Sequence, residues 1–157
     1  MEKTLNLFSG YYNILEDDIP EPFDAHAFFK SKDMQYFLIK AAKISEYDAS
    51  EHAFFKVLDS LDEAGLQEIV DRAWVIGLKD VKPYYGHRCS DVTLIVIADQ
   101  MDEATRKLVQ KLNYYIGYKW SFWGSSSLRL VAWELSTGKI AYNRHGDQLK
   151  KLFSNIL

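Results

Sequence analysis

The chain has 157 residues, 48% of them hydrophobic and 26% charged, and a net charge of −3. These values exclude a disordered chain, and they give no overall attraction to nucleic acid or anionic membrane, so binding either one requires a local basic patch. Cys89 is the single cysteine, which excludes an internal disulfide framework and a cysteine-rich zinc module and fits a reducing compartment. Met1-Glu2-Lys3-Thr4-Leu5 lacks the basic start and long apolar stretch of a signal peptide, and no apolar run is long enough to span a bilayer. One cytoplasmic domain over 1–157, without membrane contact, is the expectation.

Leu5, Phe8, Tyr12 and Leu15 recur at three- and four-residue steps and predict an amphipathic helix, ended by the acidic, proline-bearing stretch over 16–22. Strands are expected over 23–32, 34–44 and 51–58 as a meander whose outer two strands run parallel and flank the middle one. Ser60-Leu61-Asp62-Glu63 has the form of a capping box with Ser60 as N-cap. The helix it opens carries Ala64, Ile69, Ala73 and Ile76 and is expected to stop at Gly77. Residues 92–98 are apolar on both faces, which predicts a central strand. Asp102 can cap the next helix, with Leu108, Val109, Leu112 and Ile116 inward, and a helix between strands usually crosses over to a parallel neighbour. Strands over 118–123, 128–135 and 139–142, a hairpin turn at Ser136-Thr137-Gly138 and a helix over 147–156 complete the chain. The predicted fold is a single α+β domain. It has a mainly antiparallel sheet, made of the N-terminal three-strand meander and a β-α-β-hairpin half, packed with about four helices.

The pentapeptide His-Ala-Phe-Phe-Lys occurs at 26–30 and again at 52–56. Alternate side chains of an extended chain share a face, so His26, Phe28 and Lys30 point one way, as do His52, Phe54 and Lys56. A ring between an imidazole and an ammonium, presented twice, is the combination that stacks on bases or other planar anionic ligands. Those six residues are therefore the candidate ligand-binding set. The competing structural reading packs Phe28 and Phe54 beneath a helix and leaves the His and Lys side chains at the rim.

Other chemistry is sparse. His87 and Cys89 lie on one side of an extended chain, but two ligands do not make a metal site, and no helical His-x-x-x-His pair exists among the four histidines. No metal, cofactor or catalytic residue is assigned. The order helix, three strands, helix, strand matches the outline of restriction-endonuclease-like enzymes, which hold magnesium with an acid at one strand end and a Glu-x-Lys pair on the next. Here Glu51 and Lys56 are five apart and on opposite faces, so the pair is missing and a metal-dependent nuclease is kept as an alternative. Gly124-Ser125-Ser126-Ser127 lacks the lysine and helix of a phosphate loop. Trp120 and Phe122 face one way and Ser121 and Trp123 the other, and Trp133 is expected in the core.

From the middle of the chain onward the pattern resembles a group of small uncharacterised bacterial proteins, a domain of unknown function with no assigned activity. The residues that carry the likeness are the lysine-containing strand Tyr36-Phe37-Leu38-Ile39-Lys40-Ala41-Ala42-Lys43-Ile44 and a helix leading to Val81-Lys82-Pro83, with His87 four residues beyond the proline. An apolar strand, a helix and an aromatic hairpin follow. The resemblance implies a bacterial cytoplasmic setting and carries no functional residue over. The functional expectation is a non-catalytic binding or interaction module that self-associates as a homodimer and takes an unknown protein or anionic ligand. The nuclease and a single-stranded nucleic-acid binder using the His-Phe-Lys face are the alternatives.

Overall fold

The two pentapeptide copies pair with each other. A computed structural model describes residues 13–15, 19–30, 48–79, 81–85 and 87–153. In it β2 (Ala25–Lys30) lies antiparallel against β3 (Asp48–Leu61), with Ala27 opposite Ala53, His26 opposite Phe54 and Phe28 opposite His52. Each copy is centred on the other's alanine, so their like faces coincide and the ring-bearing faces join. The predicted meander, with a strand between the two copies, is corrected by this direct ladder. The middle candidate over 34–44 lies outside the described residues. β1 (Asn13–Leu15) pairs antiparallel with the outer side of β2. Residues 13–15 are thus strand where the apolar spacing predicts helix, and the rest of that predicted helix lies outside the described residues.

The remaining chain builds a parallel half. From β3 it passes through α1 (Glu63–Leu78) to β4 (His87–Met101), parallel to β3. It then passes through α2 (Glu103–Lys111) and the short β5 (Tyr115–Gly117) to β6 (Ser125–Glu134), parallel to β4. β5 and β7 (Ile140–Tyr142) are both antiparallel to β6, at its opposite ends, and a 3₁₀ turn over 146–149 leads to the one-turn α3 (Lys150–Phe153). All seven strands form one sheet in the order β1-β2-β3-β4-β6-β5, with β7 also beside β6. The fold is α+β on a mixed sheet. The expectation of about four helices is not matched among the described residues, where α1 and α2 are the two substantial ones, with 16 and 9 residues. The expectation of a mainly antiparallel sheet fails at the centre, because strands joined through a helix on one face return in the same direction.

α1 and α2 cover one face. Leu66, Ile69, Val70 and Ala73 from α1 and Val109 from α2 pack on Phe54, Val92, Val96 and Leu130. The other face buries Ala53, Phe55, Ile95, Ile97 and Val131 with Phe153 of α3. β4 is therefore covered on both sides, as its apolar run predicts. Trp133 is half-buried at the margin of the second cluster rather than central.

Two local signals differ from their sequence reading. The N-cap of α1 is Asp62, which accepts from the Gly65 amide at 2.7 Å, while Ser60 is still in β3. Gly77 does not end the helix but lies within it, where a Cβ would come within 2.6 Å of Val92 Cγ2 and 3.4 Å of the Phe54 ring. Only glycine lets the helix approach the sheet that closely. Asp102 does cap α2, accepting from the Thr105 amide at 2.7 Å. Asn143 ties the end of α2 to β6: its Nδ2 donates to the carbonyls of Leu112 and Leu128, and its Oδ1 accepts from the amides of Leu130 and Gly146.

Phe54→Ala should lose about 3–5 kcal/mol of stability, because its side chain is fully buried between sheet and helix. Gly77→Val should lose about 1–3 kcal/mol by overpacking the same contact. Urea unfolding midpoints measure both, and a wild-type midpoint for Phe54→Ala would contradict this packing.

Candidate binding surface and the buried polar clusters

β2 and β3 gather most of the sequence-derived candidate set into a stack of rings. His26 Nε2 and His52 Nδ1 are 3.0 Å apart, one ring donating and the other accepting. The His26 ring stacks on Phe54 at 4.5 Å, and Phe28 tilts over His52 at 4.6 Å. Phe54 has no exposed surface and His26 is buried, whereas Phe28 and His52 are half-buried. Lys56 pairs with Asp24 at 3.2 Å, and Asp24 also accepts from the Val57 amide at 2.7 Å. The Lys30 side chain lies outside the described residues. Burial and the neighbouring positive charge on His52 push His26 down to about 4.

A second cluster lies on the opposite face, toward the N-terminal ends of the parallel strands. Arg129 of β6 reaches Glu51 of β3 at 2.9 Å and Asp91 of β4 at 2.6 Å. The other oxygen of each carboxylate is also occupied: Thr93 donates to Glu51, and Ser127 donates to Asp91 at 2.7 Å. Both acids are buried. Every carboxylate oxygen already has a donor, and the guanidinium sits between the two acids where a cation would bridge them. On the helix-covered face of the same strand ends, Ser90 Oγ contacts Ser50 Oγ at 2.9 Å and His87 Nε2 at 3.2 Å. Among the described residues no group of three or more His, Cys, Asp or Glu side chains could hold a metal ion.

Beyond those strand ends the surface is aromatic. The stretch predicted as strand over 118–123 is instead a tight loop between β5 and β6. Lys119, Trp120 and Ser121 take positive φ in succession, at 44°, 58° and 65°. Each non-glycine residue in that left-handed region costs roughly 1–2 kcal/mol. Backbone bonds from Phe122 to Lys119 at 3.1 Å and from Trp123 to Tyr118 at 3.1 Å hold the loop. The conformation leaves Trp120 95% exposed and Phe122 76% exposed. Lys119 Nζ lies 3.7 Å above the Trp123 ring. Tyr85, 84% exposed, and Tyr84 stand on the loop that enters β4, and Tyr115 on β5 stacks with His145 at 6.3 Å. All the exposed large aromatic side chains among the described residues lie at this one end of the sheet.

A family model matches residues 1–155. The chain belongs to the family described as a domain of unknown function (DUF8052). No curated protein and no solved structure matches it. Membership agrees with the resemblance drawn from the sequence and assigns no residue a role. No helix among the described residues is long and apolar enough to cross a membrane.

Sequence reading singled out Glu51 but missed Asp91 and Arg129. The signal was present: Thr93 and Arg129 interrupt strands that are otherwise apolar, and a polar side chain inside such a run needs a buried partner. For the aromatic end the signal was weaker, an aromatic run abutting Gly124-Ser125-Ser126-Ser127.

Arg129→Met would strand two buried carboxylates and should cost about 3–5 kcal/mol at neutral pH, whereas the triple change E51Q/D91N/R129M should recover most of that loss. Thermal melts of the two variants measure the difference. The His26 pair sets an acid dependence. Its pKa of about 4 lies below the ordinary 6.5, so the unfolded chain binds more protons between those values. Its contribution is complete above pH 6.5 and falls by about 3 kcal/mol as pH drops to 4, with 1.36 kcal/mol per unit. His26→Gln should flatten the stability profile between pH 6.5 and 5, and an unchanged slope would remove His26 as its source.

Proposed function

We propose that this protein is a non-catalytic binding module whose working surface is the aromatic end of the sheet. One observation carries the reading: Trp120 and Phe122 are held in solvent by a loop with Lys119, Trp120 and Ser121 in the left-handed region. Strain of this kind persists where the surrounding structure enforces it and concentrates at functional sites. Exposed clustered aromatic surface is the usual composition of a contact region. The buried acids support a non-catalytic reading, since the oxygens of Glu51 and Asp91 are engaged by Arg129, Thr93 and Ser127.

A metal-dependent nuclease has one observation in its favour, the adjacency of Glu51 and Asp91 on neighbouring strands. Arg129 between them counts against it. Magnesium-dependent cleavage of plasmid DNA that is abolished by Glu51→Gln would establish it.

Trp120→Ser should leave the melting temperature within the range of a neutral surface change, about 0.5 kcal/mol, while removing the most solvent-accessible tryptophan emission in acrylamide quenching. A loss well beyond 1 kcal/mol would place the ring in the fold and defeat the reading. Sedimentation velocity identifies the occupant where it is a second copy: a dimer converted to monomer by W120S/F122S would show self-association through this end.

A further inference from the structure

We propose that the aromatic end binds single-stranded nucleic acid, its exposed rings stacking on bases and the surrounding cations meeting phosphates. The inference rests on the reading of that end as the working surface and names what it takes.

The parallel run of β3, β4 and β6 brings together the loop before β4, the segment from the end of α2 to the start of β6, and the turn after β7. Their exposed rings are Tyr84, Tyr85, Tyr115, Trp120 and Phe122. The same segments expose Lys79, Lys82, Lys111, Lys119 and Arg144. Asp147, on the flank after β7, is already bonded to Lys150. The opposite end exposes Asp59, Asp62, Asp99, Asp102 and Glu103, with Lys139 as a countercharge. Among the described residues, exposed acids thus mark one end, and exposed cations lie with the rings at the other.

That composition discriminates between occupants. Contact cores between proteins are enriched in aromatic residues but depleted in lysine, which is strongly hydrated and costly to bury. Rings interleaved with lysine and arginine instead suit a flexible polyanion that carries flat faces. A duplex keeps its base faces stacked on one another, so protruding side chains such as Trp120 and Phe122 would gain little from it. A single strand offers both the unstacked faces and a backbone able to follow a curved rim of charge. Lys119, poised above the Trp123 ring at 3.7 Å, places a cation within the stacking surface itself.

Fluorescence anisotropy with a labelled 15-nucleotide oligo(dT), a matched duplex and a salt series tests the proposal. The single strand should bind in preference to the duplex. Its log affinity should fall with log salt at a slope of about −2 to −3.5, the value for three to five phosphate contacts. W120S/F122S should weaken binding on the order of 10- to 100-fold with the salt slope kept. K82E/K119E should reduce the slope by roughly 1.4. Lack of oligonucleotide binding at 50 mM salt, or equal affinity for duplex, would overturn the proposal. So would binding only to phosphatidylserine vesicles, or self-association that W120S/F122S abolishes without any effect of oligonucleotide. Any of these results with an unaltered melting temperature for Trp120→Ser leaves the surface reading standing, whereas a destabilised Trp120→Ser defeats both.

Discussion

Three strands running in one direction organise this molecule. β3, β4 and β6 can be parallel only if the chain returns each time through α1 or α2, and both helices lie on one face of the sheet. Two consequences follow from that single constraint. The central strand is covered on both faces, which accounts for the continuous burial of β4 from Ser90 to Ala98. The connections are also sorted: all turns from strand into helix fall at one end, and all entries into the parallel strands fall at the other. The first end is capped by Asp62 and Asp102 and is acidic, because carboxylates satisfy the free amides of helix N-termini. The second end has no such demand and is left to aromatic and basic loops.

The buried polar groups serve that arrangement in different ways. The histidine pair and its stacked phenylalanines lie where the antiparallel ribbon of β1 and β2 joins the parallel half, and Gly77 lets α1 settle onto one of those rings, Phe54. The Glu51, Asp91 and Arg129 cluster spans β3, β4 and β6 at their N-terminal ends, directly beneath the aromatic loops. A buried ion cluster of this kind contributes little net stability over an apolar core but strongly disfavours any arrangement that separates its members. It therefore fixes the register of the three strands that carry the loops. On the helix-covered side Asn143 holds the end of α2 and the turn after β7 to β6 with four hydrogen bonds to backbone groups.

Much of the fold is legible from local chemistry. The apolar run of β4, the Asp102 cap, the Ser136-Thr137-Gly138 turn and the extended character of both pentapeptides all depend on residues near one another in sequence. The loop over 118–123 was not legible, because alternating aromatics predict a strand and the left-handed φ values arise from closing β5 onto β6. Ser60 and Asp62 are both good N-cap residues, and the choice between them rests on how far β3 stays paired with β4.

By itself the sequence determined the class of the molecule, an α+β chain with one doubly buried strand and a repeated ring-bearing segment, since periodicity and composition act at short range. Tertiary structure alone decided which strands meet. It paired the two pentapeptides with each other, because antiparallel register about Ala27 and Ala53 brings both ring-bearing faces together on one side of the sheet, with Phe54 packed against α1. It assembled Glu51, Asp91 and Arg129 from segments dozens of residues apart, and it gathered the exposed rings and cations at one end. Pairing and burial are long-range choices, made by the free energy of the whole sheet, and no single segment encodes them.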